Sequence, residues 1–326
     1  MTASLPSDVQ AVFDRFITTE FTTIDGLGQP ITWPVTPYYT PGAPCIDIST
    51  GLGYPKKAND ANANPLVALL FSDPTGSGLD HPPMVLVQGS AQVDDDDLEQ
   101  NRERYKRESL EKLPATAKLQ PPERLMRFLG WYYTRIYVHI RPERVYVWPR
   151  GDPAGQLEIF GAHMEEVRSG HSEEPARFHA RPHGGTSSWD PRIAELGTRY
   201  RTAVLSIVAP DGFPFSIRSP VHVDPANRWI RIGELTSDAP LQPGLACLTA
   251  HEHAEQFSWQ KNFQVRGDLV FIEGGWALIP HQLVGGFEIP GSRLLALRVN
   301  AAKARRFRRT AKRESARRAH QRDQSR

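Results

Sequence analysis

Cysteine is scarce: Cys45 and Cys247 are the only two in 326 residues. So few exclude a disulfide framework, and neither sits in a CxxC or Cys/His spacing that would hold zinc. Long apolar runs are missing too. No stretch approaches the ~20 residues needed to span a bilayer as a helix. The opening MTASLPSDVQAVFDRF carries charge where an export signal needs its apolar segment. These absences predict a cytoplasmic chain with no membrane partner. Nucleophile motifs are lacking as well: there is no GxSxG turn, no P-loop spacing and no cysteine in a nucleophile's setting. Side chains alone therefore offer little chemistry, and a redox reaction would need a cofactor to carry the hydride.

What is present reads mostly as strand. Val9, Val12, Phe13 and Phe16 follow helical spacing, with Ser7 or Asp8 placed to cap the helix. After it come FTTI, the turn DGLGQP, ITWPVTPYY, the turn TPGAP and CIDIST, then PLVALLFSD and MVLVQGSAQV. Alternation, β-branching and Gly/Pro punctuation mark these as strands of a meander. DDDDLEQNRERYKRESLEKL places acids first and bases later, which complements a helix dipole, so a surface helix is predicted there. RIYVHI and RVYVWP read as closing strands. Residues 151–188 are rich in Gly, Pro, Ser and His and read as linker.

The pattern then restarts. A helix-like segment around RIAELGTRY leads into VLSIVAPDGFPFSIRSPVHV, which restates FTTIDGLGQPITWPVTPYY with Pro214 against Pro30. Pro243 matches Pro65 and Gly267 matches Gly89, both at an offset of 178, whereas the first match has an offset of 184. The copies thus differ by a six-residue indel. A repeated unit of roughly 140 residues is too long for a solenoid and suits two packed barrels, each with its own core. The expected fold class is mainly β (α+β): two tandem split β-barrels with short flanking helices, packed as a pseudo-dimer. The expected units are 1–150, a linker at 151–188, a degenerate second barrel at 189–302 and a basic tail at 303–326.

In the first copy, Ser49 and Thr50 end a strand that runs into GLGYPKKANDANANP. Hydroxyls, loose backbone N–H groups, Lys56, Lys57 and a helix start converge there, and each offers a donor or positive potential to a phosphate. The residues alone leave open a surface turn with two solvated lysines.

DGLGQPITWPVTPYY, CIDISTGLGYPKKANDANANPLVALL and PPMVLVQGSAQV, taken in order, resemble the flavin-binding split-barrel family typified by pyridoxamine 5′-phosphate oxidase. The closer likeness is to actinobacterial members that use FMN or a deazaflavin coenzyme. The likeness covers about residues 8–150 well and 190–300 weakly, and it is carried by order and spacing rather than by a single motif. It implies a cofactor at the seam of two barrels. Lys57, Ser49 and Thr50 would meet its phosphate, Val35 and Thr36 would lie near its ring, and Lys56 would stand where an arginine is often found. Copy two has GELTSDAPLQPG at the matching place, around Leu235, so one phosphate site per chain is expected. Copy two would then act as a built-in partner that lends Trp259, Lys261 or neighbouring residues of EQFSWQKNF, although packing is the commoner role for a tryptophan. The implied function is an FMN- or deazaflavin-dependent oxidoreductase acting on a small organic substrate, as a monomeric pseudo-dimer or a homodimer. Alternatives are a noncatalytic carrier or sensor, and a haem-binding split barrel with His139, His222 or His281 on iron.

Other constellations are weaker. His251-Glu252-His253 has metal-like residue types without a third partner, so a surface or seam role is expected. His163, His171, His179 and His183 are too irregular for a zinc module. Residues 303–326 hold eleven Lys/Arg against two acids, leaving 28 against 35 upstream. That tail is expected to be a frayed helix or disordered, and separable from cofactor binding. Nucleic acid, if bound at all, would be reached through it.

Overall fold

A computed structural model describes residues 5–114, 129–161, 189–286 and 293–324. Strands dominate. Helix α1 (Ser7–Arg15) buries Val9, Val12 and Phe13, as its spacing predicts. The first unit then comprises β1 (Thr19–Ile24), β2 (Pro30–Val35), β3 (Pro37–Tyr38), β4 (Ile46–Gly51), helix α2 (Lys56–Ala63), β5 (Leu66–Phe71) and β6 (Met84–Asp94). Helix α3 (Leu98–Lys112), a single turn α4 (Gly130–Tyr133), β7 (Arg135–Trp148) and β8 (Glu158–Gly161) complete it. The second unit is β9 (Thr202–Val208), β10 (Pro214–Asp224), β11 (Trp229–Ile232), β12 (Gly244–His253), β13 (Gln260–Ile272) and β14 (Gly275–Gly285). Helix α5 spans Arg293–Gln324.

The two units share one pairing order. The first runs β2-β1-β5-β6-β7-β4-β3, and the second closes as β10-β11-β14-β13-β12-β9. Corresponding details sit at the predicted offsets. Gly28 and Gly212 both take positive φ (78° and 86°) in turns closed by matching hydrogen bonds. Pro30 and Pro214 each open the strand that follows. Pro37 faces Ile48 in β3–β4, and Val221 faces Ile232 in β10–β11, again 184 residues on. Gly89 and Gly267 each sit at a register shift opposite a proline, Pro142 and Pro280. A Cβ at either glycine would run into the facing backbone, that of Arg141 or Ile279, so glycine is required there.

Strand parity explains the apolar runs. Val67, Leu69 and Phe71 point into the first barrel, while Ala68 and Leu70 join a core shared with the second unit. Val85 and Val87 divide from Met84 and Leu86 in the same way. PLVALLF and MVLV are continuous because both of their faces are buried.

Four expectations are corrected. RIYVHI and RVYVWP are one strand, β7, bent at its bulge. RIAELGTRY holds a 3₁₀ turn, Pro191–Glu195, rather than an α-helix, since Pro191 and the early Gly197 leave too little length. Part of the expected linker is strand: β8 pairs with β7, and 162–188 lie outside the described residues, with all four linker histidines. The basic tail is no frayed appendage. It belongs to α5, with Ala311, Glu314 and Arg318 buried against the first unit.

Candidate functional site

A cleft of about 400 Å³ opens where β2, β4, the loop into α2, α4, β13 and α5 meet. That volume suits a small-molecule cofactor. Trp33, Pro34, Val35, Thr36 and Tyr38 form one side; Ser49, Tyr54, Lys56, Lys57 and Arg135 form the base. The second unit closes it with Phe257, Gln260, Asn262, Gly285 and Gly286, and α5 adds Arg306 and Phe307. Val35, Thr36, Ser49, Lys56 and Lys57 are thus brought together as expected.

Thr50, Trp259 and Lys261 are not. Along β4 the side chains alternate, so Ser49 faces the cleft and Thr50 turns inward. The Thr50 hydroxyl donates to the Tyr54 carbonyl (3.0 Å), which holds the loop rather than a ligand. On β13, Gln260 and Asn262 share the cleft face, and Lys261 points away to Glu195 (2.7 Å). Trp259 lies in the preceding turn, where its carbonyl accepts from Ala254. The second unit does lend side chains, but of the other parity.

Lys56 and Lys57 differ sharply. Lys56 is half-exposed and pairs with Asp60 (3.0 Å) and Asp25 (3.6 Å), so its charge is balanced. Among the described residues Lys57 has no carboxylate partner; its ammonium lies 5.7 Å from the centre of the Tyr54 ring. Burial and the charge of Arg135 lower its pKa to about 8.

Sequence reasoning passed over Arg135, which sits at the floor with 5% exposure. Its guanidinium stacks over Tyr105 (3.8 Å) and Tyr132 (4.3 Å) and donates to the Tyr54 hydroxyl (3.2 Å). Its Nε has no hydrogen-bond partner. No acid pairs with it among the described residues. Two desolvated cations without a carboxylate are costly unless an anion joins them. The donor set, a guanidinium, an ammonium and the Ser49 hydroxyl, fits a phosphate. Trp33, Pro34, Val35 and Phe257 offer apolar walls to a planar ring. The only early signal for Arg135 was an arginine beginning a strand among four aromatics, WYYTRIY.

The second unit has no counterpart. Sixteen residues separate Ile48 from Pro65, and ten separate Ile232 from Pro243. The missing six fall in the lysine segment, and no helix lies between β11 and β12.

His251 and His253 are engaged away from the cleft. His251 lies at the seam with its Nε2 2.6 Å from Glu20, and His253 meets Thr18 at 3.0 Å. Among the described residues no group of three metal-ligating side chains forms, and no helix is long and apolar enough to cross a membrane.

No protein-family model and no curated protein matches the chain. Three solved structures similar to it each align with under half of it. A Listeria innocua protein assigned as a pyridoxamine 5′-phosphate oxidase is 16% identical, over 43% of this chain and 95% of its own, with a TM-score of 0.31. General stress protein 26 from Bacillus anthracis is 14% identical, over 46% and 95%, with a TM-score of 0.29. An FAD-binding protein from Mesorhizobium loti is 15% identical, over 43% and 92%, with a TM-score of 0.30.

Proposed function

We propose that the chain is an oxidoreductase that holds a flavin-type cofactor, FMN, in this cleft and acts on a small organic substrate. The observation that carries the reading is the pair Lys57 and Arg135: Arg135 buried and Lys57 partly so, close enough to repel, and neither with a carboxylate partner among the described residues. A phosphate monoester carries about −1.5 to −2 at pH 7 and would relieve both. Lys57, Arg135 and Ser49 would bind that group, and Val35, Thr36 and Trp33 would flank the ring. When bound, the cofactor supplies the hydride chemistry. Phe257, Gln260 and Asn262 would exclude water from the opposite side, so one chain completes a cleft that two barrels share. The common offsets, turns and bulges support descent of the units from one duplicated barrel.

A deazaflavin coenzyme, whose ring makes a similar demand on the groove while its tail differs, is the second reading. Haem has less support. His139 is held by Asp47 (2.8 Å) and His281 by Asp268 (2.9 Å), and neither lines the cleft. Absorption spectra of the purified chain titrated with FMN, a deazaflavin and haem decide among them. A bound-flavin spectrum is expected; failure to bind either flavin-type compound would falsify the cofactor reading, and tight binding without turnover would leave a carrier or sensor.

A further inference from the structure

Helix α5 touches the lysine-bearing segment at both ends. Ala304, Phe307, Ala311, Glu314 and Arg318 repeat at alternating steps of three and four and form its inner face. The Phe307 ring stacks on Trp131 (centroids 5.0 Å apart, planes at 26°) and meets Tyr54 edge-on at 5.6 Å. A Cβ at Gly53 would lie 2.9 Å from the Phe307 Cβ, so the helix approaches the loop as closely as glycine permits. Three turns on, Arg317 and Arg318 both donate to the Asn59 side-chain oxygen in α2 (3.0 and 2.8 Å), and Arg318 also pairs with Asp95. Lys57 lies between these two anchor points. Arg306, adjacent to Phe307, lines the cleft itself.

We propose that α5 is a wall of the cleft whose docking is coupled to the anion: the docked helix completes the site, and a ligand held by Lys57 and Arg135 holds the helix down. The inference rests on the cofactor reading of the cleft. Its physical basis is the repulsion between Lys57 and Arg135, which works against the loop packing that Phe307 and Asn59 depend on. An anion removes that repulsion and stiffens residues 51–63. Linkage requires reciprocity: whatever factor docking adds to affinity, the ligand adds to docking.

The test uses the full chain and FMN. Phe307→Ala is expected to weaken FMN binding about tenfold, within the ~5–150-fold range of such couplings. Arg306→Ala, a change at an exposed position, should weaken it in the same direction. Arg309→Ala on the outer face serves as the control and should leave it unchanged. In the unaltered chain, saturating FMN should slow trypsin cleavage within residues 303–322 by about the factor that Phe307→Ala removes. The proteolysis arm needs no variant, so misfolding of Phe307→Ala cannot decide the matter alone. If the full chain binds FMN, but cleavage ignores the ligand and both wall variants bind normally, α5 is a mere cover and the inference fails while the cofactor reading stands. If the full chain binds neither FMN nor a deazaflavin, both fail together.

Discussion

At Lys57 the ammonium is disfavoured by burial and by Arg135, which together bring its pKa to about 8. The ordinary lysine would stay charged to beyond pH 10. Below about 8 the side chain is charged and ready for a phosphate; above it, binding requires proton uptake. Cofactor affinity is therefore expected to fall as pH rises from 8 towards 10, by up to about tenfold per unit. Dissociation constants measured at pH 7, 8 and 9 check this, and a flat profile would place the phosphate elsewhere. Lys57→Ala should cost about 1.5–3 kcal/mol of binding, the range for charge-assisted hydrogen bonds. The ligand-free variant should melt no lower than the parent, because a repelled, desolvated charge has been removed. A drop in both affinity and melting temperature would mark Lys57 as a packing residue instead.

Elements were legible wherever punctuation is local. Gly89 and Gly267 stood out as matched glycines within strand patterns, and both prove to be bulges. Acid-first ordering located α3, whose cap is Asp97: its carboxylate accepts from the Glu99 and Gln100 amides at 3.0 and 2.9 Å. Asp97→Ala should lower unfolding stability by about 1 kcal/mol, the usual worth of a cap, as read by urea titration. No loss would mean that the Arg104–Asp47 and Arg104–Glu108 ion pairs anchor this helix without help from its cap. Two elements misled because their settings are non-local. The cleft face of β13 is set by pairing with β12 and β14, so Gln260 and Asn262 could not be told from Trp259 and Lys261. The tail looked solvated because its only apolar residues are alanines and Phe307; the aromatic pocket that receives Phe307 comes from Trp131 and Tyr54, far away in sequence.

Across the whole molecule, the seam is polar at its centre. Thr22, Thr32, Ser206 and Ser216 form a closed ring of hydroxyl hydrogen bonds of 2.6–2.9 Å, two residues from each unit and related by the offset of 184. Each hydroxyl can donate once and accept once, so the ring satisfies itself. Beside it Glu20, fully buried, receives Arg218 at 2.8 Å, His251 at 2.6 Å and the Ser72 hydroxyl at 2.8 Å. Period-two alternation places Glu20 and Thr22 on one face of β1, but nothing in the first copy announces that Arg218 waits opposite. Burial alone would raise the Glu20 pKa. The His251 hydrogen bond and the Arg218 charge outweigh burial and hold it below the ordinary 4.5. A depressed carboxylate contributes stability that is present above the unfolded pKa and lost as pH falls through the folded one. His253 acts at a higher pH: burial lowers its pKa from 6.5, so the unfolded chain takes up that proton first as pH drops. Unfolding free energy should therefore decline in two stages, beginning below about 6.5 and steepening below about 4.5. His253→Gln should abolish the first stage alone. Arg218→Met should cost about 3–5 kcal/mol at pH 7, because it leaves Glu20 charged and buried with weaker company. Pairing it with Glu20→Gln should recover much of that loss, since the penalty lies in the stranded charge rather than in the missing bridge. A double variant as unstable as Arg218→Met would instead assign the cost to lost arginine packing at the seam.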